Sequence, residues 1–255
     1  MLDLNYKSFG QGDPVVVLHG LFGTLDNWQT IGKKLAEHHT VYLVDQRNHG
    51  RSPHHERMTY TDMADDLQHF MESNWMFKAH IIGHSMGGKT AMQFAWAYPD
   101  MVEKLVVVDI APKTYEGGHE AIFSALRQLD LSKVESRSDA EQALESSISN
   151  LDIRQFLLKN LSRHKEGGYR WKMNLDALWN HYQDILAGPP NAEVFPGDTL
   201  FIRGSRSRYI QDEDRELIQA HFPNSELQTV EGAGHWVHAE APTELLRRIQ
   251  KFLNA

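Results

Sequence analysis

His80-Ile81-Ile82-Gly83-His84-Ser85-Met86-Gly87-Gly88-Lys89 decides how the rest of the chain is read. An apolar run, Ala79 to Ile82, leads into Gly83-His84-Ser85-Met86-Gly87, which fits G-x-S-x-G. A helix-compatible stretch from Lys89 to Tyr98 follows. Strand, sharp turn and helix are the setting of a nucleophile elbow, which raises a serine hydroxyl above the sheet edge. Bulk two residues before or after that serine would collide with neighbouring chain, so glycine at positions 83 and 87 suits the turn. The same residues also satisfy a second pattern. Gly83 to Thr90 spell G-x-x-x-x-G-K-[ST], the phosphate-binding P-loop. Leu105 to Asp109 could then pass for the aspartate-ended strand that holds magnesium in nucleotide enzymes. The wider chain has to separate the two.

Composition removes several classes first. With 255 residues the chain fits one large α/β domain, or a domain with an insertion. The net charge of −8, without a basic block, argues against nucleic acid and anionic membranes as partners, because both need clustered Lys and Arg. There is no cysteine, so thiol nucleophiles, thiolate metal sites and disulfides are absent. No secretory signal pattern is evident at the start, and no apolar run approaches the roughly 18 residues of a membrane span. A soluble, cytoplasmic protein is the expectation. The oligomeric state is left open.

Short, nearly continuous apolar runs suit parallel strands covered on both faces. They are Val15 to Leu18, Val41 to Val44, Ala79 to Ile82, Leu105 to Val108, Leu200 to Arg203 and Glu226 to Val230. Helical spacing lies between them, as in Tyr60, Met63, Ala64, Leu67, Phe70 and Met71. The alternation implies a doubly wound, mostly parallel sheet. It breaks between about Tyr115 and Pro196, where helices are expected over Glu120 to Leu129, Ile153 to Leu161 and Asn174 to Tyr182. A capping box from Ser138 to Glu141 should open another, running to Ile148. This places a helical cap at residues 115–196 over a core of 1–114 and 197–255. Ordinary crossover helices are the competing reading.

A serine nucleophile needs a base, a group that orients the base, and donors for an oxyanion. His235, in Gly232-Ala233-Gly234-His235-Trp236 between the last strand and the last helix, is the candidate base. His19-Gly20-Leu21-Phe22-Gly23, after the first apolar strand, is a turn that can present backbone amides. The Leu21 and Met86 amides are assigned to the oxyanion hole, with Phe22 as the alternative to Leu21. His19 reads as a structural hydrogen-bonder. The P-loop reading leaves both segments without a purpose, and Lys89 is expected to reach solvent or the cap.

Together with Asp45-Gln46-Arg47-Asn48-His49-Gly50-Arg51-Ser52-Pro53 and Val108-Asp109-Ile110-Ala111-Pro112, these motifs resemble the α/β-hydrolase superfamily, and within it the YbfF-type esterases. The resemblance covers nearly the whole chain. It implies a capped α/β-hydrolase fold acting on small acyl esters, and on acyl-CoA thioesters as a second class, with no metal or organic cofactor. Many α/β-hydrolases carry the triad acid just after the penultimate strand, but Ser207 stands there and cannot hold an imidazolium. Asp109 ends the strand after the nucleophile helix, where the resemblance also puts the acid, and it is assigned, with Asp212 in reserve. Asp212 and Asp214 look like first-turn helix acids. Arg47, Asn48 and His49 read as a hydrogen-bonded loop rather than as substrate contacts.

Phe22, Phe123, Phe156, Trp179, Tyr182 and Trp236 are expected to line the substrate pocket. Carbon–carbon bond hydrolases and lyases share the Ser-His-Asp set and are the main alternative activity. A quiet small-molecule receptor is a further one, since fold alone does not fix chemistry.

Overall fold

A computed structural model describes residues 1–164, 167–190 and 193–255. The chain opens with β1 (Tyr6–Phe9), β2 (Pro14–Leu18), α1 (Gln29–Leu35), β3 (Thr40–Val44), α2 (Tyr60–Ser73), β4 (Ala79–His84), α3 (Met86–Ala97) and β5 (Val102–Val108). An inserted stretch follows, with α4 (Glu120–Gln128), α5 (Arg137–Glu145), α6 (Leu151–Leu158), β6 (Leu161–Arg163), β7 (Tyr169–Trp171), α7 (Leu175–Asn180) and α8 (Tyr182–Leu186). The chain then closes through β8 (Thr199–Gly204), α9 (Asp214–His221), β9 (Ser225–Val230), α10 (Val237–Glu240) and α11 (Pro242–Leu253).

Seven strands form one sheet in the order β1-β3-β2-β4-β5-β8-β9. Every pairing is parallel except β1 with β3, where Tyr6 faces Val44 in an antiparallel register. The doubly wound sheet expected from the apolar runs is therefore present, with one edge strand that the runs did not reveal. Tyr6, Lys7 and Ser8 are exposed, so this strand has no apolar run to announce it.

Successive strand residues point to opposite faces. Val16, Leu18, Ile81, Leu105, Val107 and Phe201 pack under α2, α3 and α9. Val15, Val17, Ile82, Val106, Val108, Leu200 and Ile202 pack under α1 and α11. The α11 stripe of Leu245, Ile249 and Leu253 is buried, and each such side chain contributes about 1.5–3 kcal/mol. A charge at Ile249 would break that helix's attachment.

The insertion has its own apolar cluster, including Phe123, Leu126, Leu144, Leu157, Leu178 and Tyr182. Phe22, Met58, Tyr60 and Met86 of the sheet part join it, so it sits on the loops at the carboxyl ends of the strands. Of the 115–196 span, Lys165, Glu166, Asn191 and Ala192 lie outside the described residues.

Its local reading needs three corrections. The capping box starts two residues earlier, at Ser136: its Oγ accepts from the Asp139 amide at 3.1 Å, and the Asp139 carboxylate accepts from the Ser136 amide at 2.8 Å. The helix expected to start at Ile153 starts at Leu151, because Asn150 Oδ1 accepts from the Asp152 amide at 2.8 Å. It ends at Leu158, and Leu161 instead opens a small hairpin in which it pairs with Trp171. The stretch from Asn174 to Tyr182 is divided, with His181 separating α7 from α8. No helix among the described residues is long and apolar enough to cross a membrane.

Candidate active site

Ser85 joins β4 to α3 with φ 54° and ψ −121°, a conformation costly for any residue with a Cβ. Its amide donates to the Val108 carbonyl at 3.0 Å, which anchors the turn to β5. A Cβ at Gly83 would overlap the Gly87 carbonyl, and one at Gly87 would lie 2.5 Å from the Leu18 and His19 carbonyl oxygens. The two glycines are thus required by backbone contact on both sides of the serine.

His235 lies between β9 and α10, on a loop that abuts β8: a Cβ at Gly204 would come within 2.5 Å of the Ala233 carbonyl. Its Nε2 is 3.0 Å from Ser85 Oγ, and its Nδ1 is 2.7 Å from Asp109 Oδ2. Asp109, at the end of β5 with φ 52°, is wholly buried. Its Oδ1 accepts from the Gly204 amide at 3.0 Å, and its Oδ2 also accepts from the Ser207 hydroxyl. The structure therefore brings Ser85, His235 and Asp109 into one hydrogen-bonded line. Asp212 is turned elsewhere, pairing with Arg203 at 2.8 Å and Arg215 at 3.2 Å, and Asp214 pairs with Lys113.

The His19–Gly23 turn is held from several sides. The Gly23 amide donates to the Gly20 carbonyl at 2.9 Å, and Asn160 of the insertion donates to the Phe22 carbonyl at 2.6 Å. The Gln46 amide donates to His19 Nε2 at 3.1 Å, so Nδ1 carries the proton and donates to the Gly20 carbonyl at 2.8 Å. Phe22, with φ 59°, sends its amide to His49 Nε2 at 3.3 Å. That occupies the alternative oxyanion donor. Among the described residues, the Leu21 and Met86 amides have no backbone or side-chain acceptor.

Arg47 forms a buried two-point ion pair with Asp66, at 2.7 and 2.9 Å. Asn48 Oδ1 accepts from the His55 amide at 2.8 Å. With His49 bound to Phe22, all three residues act as loop structure.

Two cavities meet at Ser85. The larger, about 580 Å³, is lined by Tyr60, Met86, Lys89, Tyr115, Tyr182 and Arg208 among others. The smaller, about 50 Å³, includes Trp28, His84, Phe156, His235, Trp236 and His238 in its wall. Leu21, Ser85 and His119 line both. Of the expected substrate contacts, Phe22, Phe156 and Trp236 border the small cavity and Tyr182 the large one. Phe123 and Trp179 border neither, which corrects the reading of them. Phe123 is sealed among Phe22, Trp179 and Tyr182 at ring separations of 4.8, 5.3 and 5.1 Å. Trp179 stacks on Tyr182 beneath Arg127. Both aromatics are packing.

Several site residues were not evident in the sequence. The Tyr209 ring stacks on His235 with centroids 3.8 Å apart. His84 donates through Nε2 to the His235 carbonyl at 2.8 Å. The His119 amide donates to the Tyr182 hydroxyl at 2.9 Å. Ser207, which cannot itself hold an imidazolium, donates its hydroxyl to Asp109 Oδ2. These contacts arise where loops meet, so no spacing along the chain announces them. Burial keeps the neighbouring imidazoles neutral: it holds His238 down to about 3 and His19 to about 4, and it drives His84 well below the usual histidine range.

Lys89 is buried, and its Nζ donates to the carbonyls of Ile185, Leu186 and Ala187 at 3.2, 2.8 and 2.6 Å. The ammonium thus reaches the insertion, as one of the two expected destinations, and its three protons are spent on α8. A P-loop lysine would need them for phosphate. Burial holds its pKa down to about 7. Among the described residues, no group of three or more His, Asp or Glu is placed to hold a metal ion.

The sheet order, the elbow and the late histidine define an α/β hydrolase. The family model for the alpha/beta hydrolase fold matches residues 13–242, and the chain belongs to that family. Within it the chain belongs with the YbfF-type esterases: it is 37% identical to Esterase YbfF of Escherichia coli over 94% of this chain and 93% of that protein. It is 40% identical to the sn-1-specific diacylglycerol lipase ABHD11 of Danio rerio, covering 99% of this chain and 83% of the lipase. A solved marine microorganism esterase superposes with a TM-score of 0.97 at 43% identity, covering 99% of this chain and all of that one.

Proposed function

We propose that the chain is a carboxylic-ester hydrolase that cleaves small acyl esters through an acyl-enzyme on Ser85. The observation that carries this reading is the continuous line from Ser85 Oγ to His235 at 3.0 Å and on to Asp109 at 2.7 Å. His235 Nε2 takes the serine proton as the hydroxyl attacks the acyl carbonyl. The Leu21 and Met86 amides receive the oxyanion, and removing one such donor typically costs about 2.7–4 kcal/mol. Asp109 holds the imidazole in the tautomer that leaves Nε2 free, and it stabilises the imidazolium. The alcohol departs with the proton from His235. Water, deprotonated in turn by His235, releases the acid.

The large cavity, bordered by Met86 and Tyr182, suits the acyl group. Acyl-CoA thioesters form the second substrate class, since a thiolate leaves from the same tetrahedral centre. An ester substrate is preferred to carbon–carbon cleavage because the relatives at 37–43% identity are named esterases or lipases. The test is turnover by purified protein of a chain-length series of p-nitrophenyl esters beside the matching acyl-CoAs. Ester turnover that disappears in Ser85→Ala is expected. Binding of the esters without turnover would instead favour a receptor.

A further inference from the structure

Lys89 carries a buried charge that neither the triad nor the oxyanion hole uses. Among the described residues no carboxylate pairs with it, although burying an unpaired ammonium is costly. A methionine would fill much the same space without that cost, so what the charge adds is its three directed bonds. All three end on the carbonyls that close α8, a helix of five residues whose last carbonyls have no donor within the helix. Ile185 also accepts from the Tyr60 hydroxyl at 2.7 Å, and Leu186 from the Tyr115 amide at 2.9 Å. Ala187 accepts from Lys89 alone among the described residues. The ammonium lies 5.6 Å from the centre of the Tyr60 ring and 4.8 Å from that of Tyr115, and ring faces attract a cation. Tyr60, Tyr115, Ile185 and Leu186 all border the large cavity. Lys89 stands one turn along α3 from the nucleophile, and its amide donates to the Ser85 carbonyl at 3.0 Å. One side chain thus ties a wall of the acyl cavity to the helix that follows Ser85.

We propose that Lys89 is a positioning residue for substrate binding: its ammonium holds the end of α8 and the Tyr60 and Tyr115 rings as a preformed wall of the acyl cavity, so that its bonds set KM rather than kcat. This rests on the hydrolase reading above. A wall ordered in advance removes the entropy penalty of ordering it when the acyl group binds. Without the ammonium, α8 keeps its apolar contacts with the insertion through Tyr182, Ile185 and Leu186, but its end loses the donors that tie it to α3. Ser85, His235 and Asp109 hold one another through bonds that do not involve the Lys89 side chain, so the chemical step is spared. An interaction made equally with bound substrate and transition state changes KM and leaves kcat alone.

The chain has no cysteine, so Lys89→Cys offers a unique thiol that can be alkylated in denaturant before refolding. 2-Bromoethylamine restores an ammonium at the lysine's reach, and 1-bromopropane gives a side chain of the same length without charge. Assays with p-nitrophenyl butyrate run at about pH 6, where the ammonium is charged given its value of about 7. The propylated protein and Lys89→Met should each show KM raised at least about tenfold with kcat within about threefold of the parent, the size expected for lost bonds to a charged group. Aminoethylation should return KM to near the parent's. Hydrogen exchange over residues 182–188 should follow the same order, faster in Lys89→Met and in the propylated protein and slowed again by aminoethylation. Equal KM in the two alkylated forms would overturn the proposal, because the volume of the stem would then suffice. A fall in kcat larger than the rise in KM would also overturn it, by placing the effect in the chemical step. Lys89→Met needs no refolding, and unchanged KM and exchange in that variant would overturn the proposal while leaving the hydrolase reading intact. Absence of p-nitrophenol release by the parent would overturn both.

Discussion

Phe22, Ser85 and Asp109 hold positive φ at the carboxyl edge of the sheet, whereas no non-glycine residue of the described insertion does so. Each such backbone costs on the order of 1–3 kcal/mol and persists only where its surroundings over-determine it. The hydrogen bonds at the edge do this: Ser85 to Val108, Asp109 to Ile202, Phe22 to His49 and to Asn160. The insertion is held instead by side-chain volume, as around Phe123. One region fixes atoms by backbone geometry, and the other fills space above them. Substitutions at the edge should therefore act on rate, and those in the insertion on stability or on substrate range.

The largest effect short of losing the nucleophile should come from Asp109→Asn. It removes the charge beside His235 and can select the wrong tautomer, so kcat should fall at least roughly 10²-fold with little change in KM. Asp212→Asn, which alters only exposed ion pairs, should stay within severalfold of the parent. Retained rate in Asp109→Asn with a crippled Asp212→Asn would reverse the assignment of the acid.

Ser207→Ala should come next. It deletes one hydrogen bond to a buried carboxylate, and the Gly204 amide remains on the other oxygen. A bond to a charged group is worth about 1.5–3 kcal/mol, so a loss of about tenfold or somewhat more in kcat is expected, with Ser207→Thr partly restoring it. An unchanged kcat would show that Gly204 alone positions Asp109.

Acid should weaken the edge. Burial holds His19 down to about 4 and His49 and His238 to about 3, against 6.5 in the unfolded chain. Below pH 6.5 the unfolded state binds protons that the native state refuses, so stability falls as pH drops from 6.5 toward about 4, at up to about 1.4 kcal/mol per pH unit for each group. Lys89 acts with the same sign in a higher window, its penalty easing as pH rises from about 7 to 10.5. Thermal unfolding should show Tm falling between pH 6.5 and 4.5, and a flat Tm there would contradict neutral burial of these imidazoles.

The smallest effect on rate belongs to the insertion. Trp179→Ala should change kcat/KM by less than about threefold, since this partly exposed ring lies away from both cavities and packs on Phe123 and Tyr182. Phe123→Ala should cost about 3–5 kcal/mol in urea unfolding, because it empties a buried position. A large rate loss in Trp179→Ala would break the contrast between the two regions.

That contrast also explains what could be read from the chain. Gly83 and Gly87 mark Ser85 because only glycine clears the carbonyls on either side, and the strands with both faces covered leave unbroken apolar runs such as Val15 to Leu18. Packing leaves weaker marks. Ser136 to Asp139 and Ser138 to Glu141 both spell serine with an acid three residues on, and the reciprocal hydrogen bonds form at the first. Phe123 and Trp179 look the same in sequence whether they face a substrate or each other. Ser207, Tyr209 and His119 act through contacts between distant loops. Lys89, at the end of a motif with two readings, takes its role from three carbonyls nearly a hundred residues away.

The central claim is that the acyl group passes through Ser85. Rapid-quench peptide mass spectrometry during turnover of p-nitrophenyl butyrate tests it most directly. The peptide bearing Ser85 should gain one butyryl group, formed and lost at rates matching steady-state turnover, and no acylation should occur in Ser85→Ala. Full turnover with that peptide unmodified, or a kinetically competent acyl group on another residue, would contradict the account.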